Sequence, residues 1–256
     1  LRDGKAWFDH HLKGKRLEPN PKTKSITLGA KPVCINILDT QEWLEADRWP
    51  VPAVPKRLYL AENGLLSDEP IDQNGAYSSY VYDPVHPTPA VGGNMLPIRK
   101  PVVDNSDLEA RDDTLVFTTS PFTQTTYVIG EIWAVIEFEA DCETADLFVR
   151  VNRVSAAGKS LNITDAIQRI FFESSSGGRQ KIELSLIPTA VRFDEGERLR
   201  LIIASGAHPR VARNLGLEST QAQAFMTQGV PAAVTIHHSA ESPSWIDLPI
   251  ADEFVG

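Results

Sequence analysis

Four carboxylates at alternating positions, Glu137, Glu139, Asp141 and Glu143, are the first candidates for chemistry in this chain of 256 residues. On one continuous strand they would line a single face, the arrangement that glycoside hydrolysis or Ca²⁺ binding on a sheet requires. The following residues, Glu143-Thr144-Ala145-Asp146, break the apolar alternation. The run is therefore expected to be a solvated strand end passing into a turn, and Glu137 would be the residue to test for activity on glycans.

Other signals are weaker. A G-x-S-x-G nucleophile elbow is absent; Gly158-Lys159-Ser160 runs into Leu161-Asn162 with no partner glycine. The same tripeptide lacks the glycine a phosphate loop needs where Arg153 stands, so it is read as a hairpin turn. His237 and His238 are adjacent on a strand and point to opposite faces, while His10 and His11 lie about 100° apart around a helix. Neither pair suits one metal ion, and no Cys or His spacing matches a zinc site. No metal or cofactor is expected. Cys34 and Cys142 are expected to be buried free thiols, and the triplet Asn162-Ile163-Thr164 carries no weight as a glycosylation site. Trp43, Trp49 and Trp245 could stack on sugars, but in a β-sandwich they are expected in the core or at an interface.

The elements that must position these residues are strands. Ile132, Ala134, Ile136 and Phe138 alternate with Trp133, Val135 and Glu137. Leu147, Val149 and Val151 alternate with Phe148, Arg150 and Asn152, and Ile182, Leu184 and Leu186 with Lys181, Glu183 and Ser185. Arg198-Leu199-Arg200-Leu201 continues the pattern, and Pro32–Leu38, Arg57–Leu60 and Leu115–Thr118 are strand-like by length. Repeated period-2 patterning without intervening helices predicts an antiparallel all-β sandwich, with a strand count that suits a jelly roll. Asp83 to Val103 is rich in Pro and Gly and without period, a long irregular loop of the kind that is often functional. Leu1 to Gly14 is the exception, a short amphipathic helix with nothing in the chain to cover it. It reads as the stub of a domain whose body lies upstream. A net charge of -9 without a basic stripe excludes nucleic acid as the expected partner. No apolar run reaches membrane-spanning length and no signal peptide is visible, so a cytoplasmic location away from membranes is expected.

One order of motifs runs through the chain. It starts with Trp7-Phe8-Asp9, Leu12 and Gly14, then Pro32-Val33, Trp43, Trp49-Pro50, Tyr59-Leu60 and Gly64-Leu65. Tyr82-Asp83-Pro84, Pro87, Pro89 and Gly92-Gly93 follow, with Asp113, Leu115, Phe117-Thr118-Thr119 and Pro121. Gly130, Asp146, Gly158, Phe193, Gly196, Arg198-Leu199, Pro209-Arg210, Arg213-Asn214, Pro243-Ser244 and Leu248-Pro249 complete it. In this order and spacing the chain resembles the C-terminal part of CocE/NonD-type hydrolases, the family of cocaine esterase, α-amino acid ester hydrolases and X-Pro dipeptidyl peptidases. It departs from the family at Ala157, where Asp is usual, and at Asp165-Ala166, where an Asp-Gly turn is usual.

The resemblance implies a jelly-roll domain over residues 26–256 and, over 1–25, the last helix and linker of an α/β-hydrolase domain. It implies that the triad Ser, Asp and His precede that helix, so this chain alone is expected to be inactive. Its partners would be the upstream hydrolase domain and, in the parent, a small ester, amide or peptide, with homo-oligomer contacts a further role open to it. The loop after the glycine pair would reach the substrate pocket, so Asn94, Met95 and Leu96 are candidates for its wall. Met95 and Leu96 are apolar side chains on a loop without strand periodicity. A free-standing carbohydrate-binding jelly roll is the alternative, and a self-contained module of that kind has no use for the orphan helix.

Overall fold

Alternating side chains demand a partner sheet for their apolar face, and two sheets meet that demand here. The computed structural model describes residues 2–15, 33–40, 42–93, 102–174, 176–217, 229–251 and 254. In chain order the elements are α1 (Arg2–Lys13), β1 (Val33–Asn36), β2 (Trp43–Ala46), β3 (Val54–Ala61), β4 (Leu65–Ser67) and β5 (Tyr77–Tyr82). A single-turn helix, α2 (Ser106–Glu109), precedes β6 (Thr114–Thr118), β7 (Thr126–Gly130), β8 (Trp133–Ala140) and β9 (Thr144–Val154). The chain continues through β10 (Ser160–Phe171), β11 (Gly178–Ser185), β12 (Thr189–Phe193), β13 (Arg198–Ala204), β14 (Ala232–His237) and β15 (Trp245–Ile250).

The first sheet has the order β10-β9-β13-β6. The second is built on β8, which pairs with β11 along one edge and shares the other between β14 and β15. Beyond these lie β5, paired with β14, and β3, paired with β15. β7 and β12 pair with each other and extend the antiparallel β8–β11 pair beyond Gly130. β4 links the sheets at one side, antiparallel to β3 and parallel to β6 through Leu65 and Thr118. This is the antiparallel all-β sandwich that the alternation predicts. Ile132, Ala134, Ile136 and Phe138 of the second sheet pack against Leu147, Val149, Val151, Leu199 and Leu201 of the first. The ribbon of β1 and β2 forms a separate small core with Tyr127, Ile129 and Ala251.

The helix α1 closes at Gly14, which holds the left-handed backbone (φ 64°) that a helix end favours in glycine. Lys5 and Lys13, each four residues from Asp9, approach its carboxylate at 2.6 and 2.8 Å and hold it well below the usual carboxylate range. On the same helix Phe8 and Leu12 are 57% and 75% exposed, an apolar i, i+4 pair on one face. Among the described residues no helix is long and apolar enough to cross a membrane.

At the other extreme of burial, His238 follows β14 and lies between the sheets. Its Nε2 is 3.0 Å from Ser78 Oγ, and its ring meets Phe117 edge-on with centroids 5.9 Å apart. Burial pushes its pKa below the usual histidine value. The unfolded chain therefore takes up a proton that the folded chain refuses, so stability is full above about pH 6.5 and declines as the pH falls through that value. Urea unfolding measured between about pH 7 and pH 5 should show this decline, and His238→Gln should flatten it.

Candidate functional site

The polar residues that the fold brings together lie on the outward face of the first sheet. Period-2 logic puts Phe148, Arg150 and Asn152 of β9 on the side away from the core, where solvent would be expected. All three are buried, and residues 83–93 and 102–113 supply groups that cover that face, among them Ala90, Val91, Asn105 and Glu109. A β-bulge between Asn162 and Thr164 of β10 shifts the register so that Asn162 pairs with Asn152 and Asp165 with Arg150. Two residues three apart thus share one face, which unbroken alternation forbids. Asp165 is therefore a mid-strand residue and not part of a turn, a correction to its reading beside Ala166.

Asp165 accepts from two arginines. Arg150 donates to its Oδ2 through Nη2 at 2.7 Å and Nε at 3.2 Å, and Arg210 approaches its Oδ1 at 2.8 Å and its Oδ2 at 3.1 Å. Both guanidinium groups lie against the ring of Phe148, at 5.1 and 5.8 Å from its centroid. Burial lowers the pKa of the Arg150 guanidinium, and the Asp165 carboxylate opposes that shift. The remaining donors of Arg150 reach the Val91 carbonyl, the Gly92 carbonyl at 3.4 Å and Asn105 Oδ1 at 2.7 Å. Asn105 in turn donates to the Val103 carbonyl at 2.9 Å, and Asn162 Oδ1 accepts the Val103 amide at 2.9 Å. Glu109 of α2 fastens the next stretch, pairing with Arg200 at 2.5 Å and accepting from Asn152 and Ser160. The loop that carries Arg210 is held by Asp146, which accepts from Arg169 at 2.8 and 3.0 Å and from Asn214 at 2.9 Å.

Both ends of the stretch 94–101 are thus tied to one buried cluster. Asn94, Met95 and Leu96, the expected pocket wall, fall outside the described residues, but Gly93 just before them is described. A side chain there would collide with Arg210 Nη1 at 2.6 Å, Asp165 Oδ2 at 2.8 Å and Arg150 Nη2 at 2.9 Å, and its φ of +94° is glycine territory.

Trp43 and Trp49 are 39% and 50% exposed and lie outside the core, and the other candidates resolve into structure. Glu137 and Glu139 lie on the exposed face of β8 and pair with Arg179 (3.3 Å) and His237 (2.6 Å). The strand ends at Ala140, so Asp141 and Glu143 belong to the turn, and Asp141 accepts the Ala233 amide at 2.7 Å. Lys159 follows Gly158 in the β9–β10 hairpin, where Gly158 donates to the Ser155 carbonyl. Asn162 is buried and its triplet is closed to glycan attachment. Cys142 is a buried free thiol, pushed up to about 11 by burial, and Cys34 is a half-buried one. Trp245 is covered by Arg57 and Lys181, at 4.5 and 4.7 Å from its ring, so it offers no free face for a sugar. His10 and His11 sit on α1, with His10 Nδ1 2.8 Å from the Lys15 carbonyl. Among the described residues no group of three His, Cys, Asp or Glu side chains could hold a metal ion.

A buried-charge scaffold on the outward face of an antiparallel all-β sandwich defines the class of this domain. The chain belongs to the family described as the X-Pro dipeptidyl-peptidase C-terminal non-catalytic domain, whose profile matches residues 28–247. It is similar to the C-terminal region of CocE/NonD-family hydrolases. Cocaine esterase of Rhodococcus sp. (strain MB1 Bresler) is 24% identical over 265 residues, which cover 96% of this chain and 45% of the esterase. An aminopeptidase from a marine sediment Thaumarchaeota archaeon superposes with a TM-score of 0.78 at 21% identity, covering 96% of this chain and 43% of the aminopeptidase. An α-amino acid ester hydrolase does so with a TM-score of 0.77 at 24% identity, covering 96% and 44%. The chain therefore spans less than half the length of the relatives it matches. These likenesses favour a hydrolase-associated domain over a free-standing carbohydrate-binding module.

Removing one partner from a buried ion pair leaves the other charge stranded. Asp165→Ala should therefore lower the unfolding free energy by about 3–5 kcal/mol in urea titrations. Asp68→Ala, which loses only an exposed pair with Lys56, should cost less than about 1 kcal/mol.

Proposed function

We propose that this chain is the C-terminal, non-catalytic domain of a serine hydrolase acting on esters, amides or X-Pro peptides, and that it packs on an upstream α/β-hydrolase domain whose pocket it completes. The triad belongs to that upstream domain. Residues 1–25 are its last helix and linker, and Leu12 of α1, 75% exposed, is a side chain that it covers. Asn94, Met95 and Leu96 form part of the wall against the acyl or leaving group. The observation that carries this reading is the double anchorage of their segment. A loop that only connects two elements needs no buried charge cluster at its base, whereas a loop that must present a surface accurately needs a rigid support. Family membership and the names of the relatives support the hydrolase assignment.

Two measurements test the reading. The purified chain should turn over p-nitrophenyl acetate no faster than an albumin control, because acyl transfer needs hydroxyl, base and oxyanion hole together; robust turnover would remove the catalytic centre from the upstream domain. In the full-length protein, Met95→Ala with Leu96→Ala should change the ratio of kcat/KM between a bulky and a small ester by roughly tenfold, the scale of one or two apolar groups in a pocket. An unaltered ratio would exclude these residues from the wall.

A further inference from the structure

We propose that Arg150, Asp165 and Arg210 are positioning residues for the hydrolase reaction: they set which acyl groups are accepted by fixing both roots of segment 94–101, and none of them touches substrate. The inference rests on the pocket-wall reading of that segment and identifies the residues on which the wall depends.

One guanidinium serves both roots. Arg150 holds the incoming root through the carbonyls of Val91 and Gly92, and the outgoing root through Asn105, whose Nδ2 donates to the Val103 carbonyl. Because Arg150 and Asp165 are cross-strand partners on β9 and β10, the position of the roots is referred to two long paired strands and not to another loop. Arg210 adds a third segment and grips both oxygens of Asp165 from the opposite side. Gly93 lies against all three polar groups with no room for a methyl group, so the backbone has no slack where the described chain leaves the cluster. Covering the same face of the sheet with apolar side chains would remove the cost of burying charge. What charges add is direction, since a guanidinium with fixed donors holds carbonyls at set angles. A displacement of about one ångström in a pocket wall can change rates by up to a hundredfold.

The test uses the full-length protein and p-nitrophenyl esters of acetate and benzoate. Arg210→Met removes one grip while Asp165 keeps Arg150. Gly93→Ala keeps every charge and displaces the backbone. Arg210→Lys keeps the charge without the paired donors. The ratio of kcat/KM for the two esters, measured on one sample, is independent of the folded fraction, so a merely structural role lowers both rates alike and leaves the ratio unmoved. Arg210→Met and Gly93→Ala should each shift the ratio by about tenfold or more, and Arg210→Lys by less. If Gly93→Ala does not fold, Arg210→Met decides. Unmoved ratios in these variants overturn the inference, and if Met95→Ala with Leu96→Ala still shifts the ratio, the pocket-wall reading stands without it. Shifted ratios in Arg210→Met and Gly93→Ala, with none in the Met95 and Leu96 variant, uphold the positioning role and move the wall to other residues of the segment.

Discussion

Arg150 has no exposed surface, yet it lies on the side of a β-sheet that faces away from the hydrophobic core. A charge in that position cannot be left without partners, since stripping a guanidinium of water costs several kcal/mol unless a counter-charge and acceptors replace it. The chain meets this demand with one carboxylate from the neighbouring strand, two backbone carbonyls from the covering segment and one side-chain amide from its far end. The requirement works in both directions. The covering segment stays on the sheet because Arg150 needs its carbonyls, and Arg150 stays buried because the segment is there.

The two faces of the first sheet are therefore held by different physics. The inner face is apolar and needs only volume and shape to match β8 and its neighbours. The outer face carries a small apolar cluster around Phe148, Ala204 and Ala207, but its polar contacts are directional: Arg150, Asn152 and Asp165 are each engaged in named hydrogen bonds, Asn152 with Glu109 of α2. Apolar packing tolerates small sliding, whereas a paired carboxylate and guanidinium specify angle as well as distance. The described residues of the irregular segment make only isolated bridges, at Pro89 and Asp104, and contact the directional face.

Much of the inner face was legible in the sequence. Ile132, Ala134, Ile136 and Phe138 announce β8 by alternation alone, and the same holds for Leu147, Val149 and Val151 of β9. Alternation also sets Arg150 on the face opposite Val149 and Val151, but carries no sign that this face is covered. What hides the cluster is that its members are distant in sequence and that a bulge joins them: without the shift between Asn162 and Thr164, Asp165 would not share a face with both Asn152 and Asn162. A bulge has no dependable single-sequence signal when, as here, no glycine marks it. Arg210 is less legible still, because it arrives on a loop held by Asp146, Arg169 and Asn214. The faint signal that does exist is compositional. Arg and Asn at alternate positions of a strand otherwise filled with Val, Leu and Phe are costly unless something polar covers them, and Asp83–Val103 is an irregular segment of suitable length to do so.

Burying Arg150 and Asp165, with Arg210 beside them only partly exposed, is an inefficient way to stabilise a sandwich that already has a large apolar core. Replacing such groups with apolar side chains of similar volume is often neutral or stabilising in other folds. The cluster therefore makes more sense as a device of geometry. It couples β9, β10, the covering segment and the loop of Arg210 into a unit in which none can shift alone. That coupling is local to one side of the first sheet, while β3, β14 and β15 on the second sheet carry exposed pairs such as Arg57 with Asp247 that constrain no irregular backbone. A domain whose contribution to a neighbouring active site is shape alone would be expected to concentrate its expensive polar contacts where that shape is presented. The distribution of buried charge thus sets the face bordered by residues 83–93 and 102–113 apart as the side on which this domain fixes irregular backbone.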